Sequence, residues 1–225
     1  MDGATAAVAL VCGGARWPLH SPGATAVAVP ARPGRDVLAE VLAELGGRRL
    51  VVCGTDADLA AVVLRLLRTE LLATVPVGYV ASAAPSAVTR LWGLPVVPAD
   101  AAAVALGDAP RPVPLVRDDA GGVLVGHGEV RAVRGVAYCD DEPVLRGAAT
   151  RLEVMPDPQH GLLVRVLSRR LLRRRVRVTA GRAVQLGCRP TEVVRDGVPD
   201  RIRDRWTWYR HTEDLQLAGA RSARS

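Results

Sequence analysis

The chain has 225 residues, 49% of them hydrophobic, enough to bury a sizeable core as one large domain or two lobes, and two lobes fit its organisation better. Its 30 basic and 23 acidic residues give a formal charge of +7, and every basic residue is arginine; Lys, Asn and Phe are absent and Ile202 is the single isoleucine. That bias points to a GC-rich genome, excludes any chemistry that needs a lysine or an asparagine, and leaves the basic charge a weak argument for a nucleic-acid partner.

The opening stretch MDGATAAVALVCGG lacks the charged leader of a secretory signal, and an apolar strand ending at Gly13-Gly14 explains it. No apolar run approaches the roughly 20 residues of a membrane-spanning helix. The expectation is a soluble, cytoplasmic protein, with peripheral membrane attachment as an open variant.

In chain order the first half alternates. Strand-like runs at Ala6 to Cys12 and Thr25 to Val29 precede a helix near Arg35 to Leu45. A strand at Leu50 to Cys53 then leads into a helix running to about Thr69. Within that helix Leu59, Val62, Val63, Leu66 and Leu67 recur at the spacing of one buried face. A strand at Val75 to Val80 and helices at Ser86 to Trp92 and Ala99 to Leu106 complete the half. The pattern predicts an α/β domain, Rossmann-like with a mostly parallel sheet, over residues 1–112.

The character changes between residues 108 and 120. Short β-like runs separated by Gly, Asp and Pro follow, at Val113 to Arg117, Gly122 to Val125, Val130 to Tyr138, Arg151 to Val154, Leu162 to Leu167 and Arg175 to Val178. Four more lie at Ala183 to Leu186, Glu192 to Arg195, Trp206 to Tyr209 and Leu215 to Leu217. They predict a β-rich, antiparallel, sandwich-like domain over 113–219, with a disordered tail at 220–225. Alternation places Trp206 and Trp208 on one face, the signature of a sandwich core.

Cys12, Cys53, Cys139 and Cys188 are scattered, with no CxxC pair and no histidine at metal-ligand spacing, and read as small buried hydrophobes. His20, His127, His160 and His211 are equally dispersed.

The turn Gly54-Thr55-Asp56-Ala57-Asp58, between a strand and a helix, is a place where an anion can bind. In this context the sequence resembles the diacylglycerol kinase catalytic-domain family, which includes sphingosine kinases and bacterial lipid kinases, as a degenerate member of actinobacterial type. The family's first phosphate loop reads GGDG followed by Thr or Ser. Its second signature, P-x-G-T-G-N-D and then L-G-x-P, runs without a gap onto Ala81 to Pro95, keeping Arg90 and Trp92-Gly93-Leu94-Pro95. Ala99-Asp100-Ala101-Ala102 and Arg111-Pro112-Val113-Pro114-Leu115 resemble the family's exit from its α/β domain. Pro156 to Leu163 is similar to P-x-x-x-D-G-L-L, with His160 in place of the aspartate. Arg195-Asp196-Gly197-Val198 resembles its D-G-E, with Val198 in place of the glutamate.

The resemblance implies an α/β nucleotide-binding domain followed by a β-rich one, and an ancestral ATP-dependent phosphorylation of a lipid hydroxyl. It implies phosphates cradled by Gly54, Thr55, Asp56, Ala57 and Asp58, Mg²⁺ at Asp56, charge stabilisation by Arg90, and Asp196 as the substitute general base. ATP and Mg²⁺ are the implied cofactors. Thr55, Ala57, Ala83 and Pro85 stand where the family has glycine-rich loops, and valine cannot accept a proton, so the activity is expected to be weak or lost.

Each of these residues also has a plainer reading. Asp56 and Asp58 can cap the helix that follows, Arg90 can pair with either of them, and Asp196 before Gly197 can serve its own turn. The basic cluster Arg165, Arg169, Arg170, Arg173, Arg174, Arg175 and Arg177 around Leu171-Leu172 can contact an anionic membrane, contact nucleic acid, or solvate a hairpin edge. A non-catalytic module binding a small ligand or an anionic lipid surface through those arginines is therefore the alternative function. A structural partner of an active paralogue, or a homo-oligomer, is a third.

Overall fold

The computed structural model describes residues 7–18, 23–170 and 173–221. Ala6, His20, Leu171-Leu172 and the end of the expected tail, 222–225, lie outside the described residues. The chain divides into two compact units, Met1–Val113 with Glu213–Ser225, and Pro114–Thr212.

The first unit follows the alternation of its sequence. Strands β1 (Ala7–Cys12) and β2 (Ala24–Val29), helix α1 (Arg35–Ala43), strand β3 (Arg49–Gly54) and helix α2 (Asp56–Arg68) are succeeded by β4 (Val77–Ala81). Then come α3 (Ala87–Trp92), α4 (Pro98–Gly107) and β5 (Pro110–Val113). All six residues of β3 are buried, as expected of a strand covered on both faces. Helix α2 buries Leu59, Val62, Val63 and Leu66, the face read from the sequence. Its cap is not an aspartate: Thr55 is the N-cap and the helix begins at Asp56, because Thr55 Oγ1 accepts from Asp58 N at 3.3 Å while the Asp58 carboxylate accepts from Thr55 N at 2.7 Å.

Helix α4 presents Ala101, Ala102 and Ala105 to β4, and Gly78 makes the close approach possible, since a Cβ there would lie 2.6 Å from the Ala105 carbonyl.

The sheet order is β2-β1-β3-β4-β18-β5, where β18 is Leu215–Ala218 near the end of the chain. Pairing is parallel except between β18 and β5, and Leu217 stands beside Val77 of β4. This differs from the expected boundary, which left the segment in the β-rich domain. Leu215 and Leu217 are buried and supply the strand that joins β4 to β5. Order also extends past residue 219: Ala220 is buried and Arg221 N donates to Trp92 O at 2.9 Å.

The second unit is antiparallel throughout. It comprises β6 (Val116–Asp118), β7 (Val123–Leu124), β8 (Gly128–Arg131), β9 (Arg134–Cys139), β10 (Glu142–Ala148) and β11 (Arg151–Asp157). The remainder are β12 (Gly161–Arg170), β13 (Arg173–Gly181), β14 (Ala183–Thr191), β15 (Val193–Arg195), β16 (Val198–Pro199) and β17 (Arg203–Arg210). Two six-stranded sheets form, in the orders β10-β9-β14-β17-β6-β7 and β13-β12-β11-β8-β15-β16.

Trp206 and Trp208 are fully buried in its core with Leu152, Val154, Leu162 and Val184, as their alternation foretold. Their rings stack at 5.6 Å, worth about 1 kcal/mol beyond area burial. The run expected as one strand from Val130 to Tyr138 is two, separated at Ala132 by a left-handed φ of 47°. Strand β10 was not expected: Pro143 and Gly147 disguise it, and its place at the sheet edge tolerates both.

Candidate functional site

The β3–α2 turn is where sequence reasoning places an anion. Gly54, Thr55, Asp56, Ala57 and Asp58 meet there, joined by Tyr79 of β4, Arg32 and the start of α3. Both carboxylates turn inward. Asp56 Oδ1 accepts from Tyr79 Oη at 2.7 Å and from Ser86 Oγ at 2.6 Å, while Oδ2 accepts from Ala87 N at 2.7 Å and Val88 N at 3.4 Å. Asp58, 3% exposed, accepts from Arg32 N at 2.6 Å through Oδ1 and from Thr55 N and Oγ1 at 2.7 and 2.8 Å through Oδ2. Seven protein donors thus converge on two side chains.

Gly54 is required for a reason unrelated to phosphate. A Cβ there would stand 2.6 Å from Asp58 Oδ2 and 3.0 Å from Cys12 Cβ. No residue from 54 to 58 has a positive φ, so the turn does not form the left-handed amide nest that cradles phosphate. Arg90 is exposed on α3 and pairs with neither aspartate. A nucleotide phosphate does not fit this turn, because it would meet two carboxylates; nor does Mg²⁺ fit at Asp56, whose oxygens already serve four donors.

In the second unit Asp196 is buried and adopts φ 47°. Its carboxylate accepts from the amides of Val125, Gly126 and His127 at 3.1, 2.8 and 2.9 Å, and its own N–H donates to His127 O at 2.8 Å. These bonds pin a loop some 70 residues away in sequence. His160 stays local: Asp157 Oδ1 accepts from His160 N at 2.8 Å and lies 3.0 Å from His160 Nδ1, closing the turn between β11 and β12.

A further polar cluster escaped sequence reasoning. Glu129 and Glu153 face each other across β8 and β11, both buried, and with His127 they form a set whose ligand atoms lie within 4.8 Å of one another. Arginines pair with both carboxylates. Arg151 reaches Glu129 at 3.3 Å and Glu153 at 3.2 Å, Arg131 pairs with Glu129, and Arg165 lies 3.2 Å from Glu153 Oε2, though outside hydrogen-bonding geometry. Two carboxylates against three guanidinium groups make an ion-pair network, not a metal centre. Charged residues at alternate positions of otherwise apolar strands were the signal available in the sequence.

Burial pushes the Cys12 thiol up to about 12, helped by the nearby Asp58 and Cys53, and pushes Cys53 and Cys139 up to about 11. Protonated, buried thiols at these positions are inert, which fits their reading as small hydrophobes.

No protein-family model matches the sequence, and no curated protein matches it. Solved structures do. One described as a diacylglycerol kinase from Bacillus anthracis str. Sterne superposes with a TM-score of 0.74 at 10% identity, covering 97% of this chain and 98% of that one. The chain has the diacylglycerol kinase fold. Two more structures from that organism, named as candidate diacylglycerol kinases, agree at TM-scores of 0.70 and 0.71, with 12% and 11% identity and the same coverage. At such identity the likeness concerns the diacylglycerol kinase fold, and the site must be judged from its own residues.

Proposed function

We propose that this protein is a pseudokinase on a lipid-kinase fold. Its ancestral reaction is the ATP-dependent phosphorylation of a lipid hydroxyl, and it no longer transfers phosphate. One observation carries the reading: the Asp56 and Asp58 carboxylates fill with protein donors the turn that a phosphate would need. An internal anion has taken the ligand's place, so the amides of α3 are satisfied without any nucleotide. The second unit supports the same reading, because Val198 cannot accept a proton and Asp196 spends its carboxylate on three amides.

The test is a thermal-shift titration of the full chain with MgATP, alongside a phosphotransfer assay on diacylglycerol vesicles. A ligand at 100 times its Kd stabilises a protein by about 2.7 kcal/mol, well within detection. The expected result is no saturable shift at roughly millimolar MgATP and no labelled lipid. Saturable stabilisation by MgATP, or transfer of label to the lipid, overturns the proposal.

A further inference from the structure

The hairpin of β12 and β13 carries the densest charge in the molecule. Between Gly161 and Gly181 there are seven arginines and no acidic residue. Two are neutralised from elsewhere, Arg165 by Glu153 and Arg177 by Glu142. Arg169, Arg173, Arg174 and Arg175 are exposed and have no carboxylate partner among the described residues.

The pairing register makes this arrangement costly. Arg169 stands directly opposite Arg174, so this cross-strand pair is like-charged. Such pairs destabilise a ladder unless a counter-charge sits over them. Protection of the edge strand β13 from aggregation needs only scattered charges, not facing ones.

The chemistry of the neighbouring positions selects among polyanions. On one face of the hairpin the register runs from Arg165 and Val178, through Leu167 and Val176, to Arg169 and Arg174. Val176 and Val178 are about half exposed. Guanidinium groups beside exposed aliphatic side chains suit an interface that is anionic at its surface and apolar just below it. The hairpin offers no aromatic ring on which a nucleic-acid base could stack.

We propose that the face of the β12–β13 hairpin bearing Arg169, Arg174, Val176 and Val178 docks on an anionic phospholipid bilayer, the arginines on lipid phosphates and the valines against the acyl boundary. The site is independent of the β3–α2 turn and holds whether or not phosphotransfer survives.

The experiment is co-sedimentation of the full chain with vesicles of phosphatidylcholine alone and with phosphatidylglycerol added. Binding is expected only to the anionic vesicles, falling steeply as salt shortens the screening length. The variant R169Q/R174Q should bind about 25-fold more weakly, at about fivefold per arginine. A control variant with the same charge change at other exposed arginines of the unit, R134Q/R189Q, should lose far less.

Relief of the like-charge pair should also leave the hairpin variant at least as thermally stable as the parent, which separates lost docking from lost folding. Equal losses in the two variants would assign binding to net charge and overturn the site. Binding to duplex DNA in preference to the anionic vesicles would overturn the choice of partner, and failure of the parent to bind either vesicle would overturn the proposal outright.

Discussion

Replacing Asp56 by alanine should destabilise the protein by about 3 kcal/mol, although the residue sits where a lipid kinase would be expected to serve a ligand. Its carboxylate takes three short hydrogen bonds, from Tyr79 Oη, Ser86 Oγ and Ala87 N, and a long one from Val88 N. Hydrogen bonds to a charged group contribute about 1.5–3 kcal/mol each, so the three short ones set an upper bound of about 9 kcal/mol. Two effects reduce it. Tyr79 Oη retains the Gly54 carbonyl at 3.2 Å, and Ala87 is only partly buried, so water can replace part of what is lost.

A loss of about 3 kcal/mol corresponds to roughly 6–12 °C in Tm for a chain of this size. Urea denaturation followed by circular dichroism, with the slope checked between parent and variant, measures it. D56N keeps an acceptor oxygen and should lose about half as much. A cost below ~0.5 kcal/mol, or a gain in stability, would refute the reasoning, since residues held for a ligand against the interests of the fold are the ones whose removal stabilises.

Other outcomes follow from the same geometry. Gly54→Ala should cost about 2 kcal/mol by forcing a Cβ against Asp58 and Cys12, measured by the same denaturation. Asp196→Ala should cost about 3–4 kcal/mol, because three amides lose their acceptor and alanine must hold φ 47°; an unchanged midpoint would mean that the carboxylate braces nothing. The folded thiols of Cys12, Cys53 and Cys139 are raised above their ordinary 9.0, so the unfolded chain loses these protons first as pH rises. Their contribution to stability is therefore complete below about pH 9 and is lost progressively from there to pH 11–12. The urea midpoint should fall over that window, and C12A/C53A/C139A should flatten the fall.

Much of the architecture was legible because it is written locally. Leu59 to Leu66 announce a helix face, the apolar run ending in β3 announces a covered strand, and Trp206 and Trp208 announce a core by being two residues apart. Contacts between distant residues were not legible. Nothing near Asp196 indicates that the amides donating to it lie at 125–127, and nothing near Asp56 names Tyr79 or Ser86. Asp58 lies between these cases: threonine three residues before an acidic side chain is a recognisable cap, but its bond to Arg32 depends on the tertiary fold. Strand β18 was assigned to the wrong unit because a four-residue apolar run specifies pairing with no particular neighbour.

That strand has a consequence for biosynthesis. Residues 114–212 form a contiguous body, whereas the sheet they interrupt lacks its penultimate strand until Ala218 has emerged. Until then β5 has no hydrogen-bonding neighbour and β4 has an open edge, so the part translated first is the last to close.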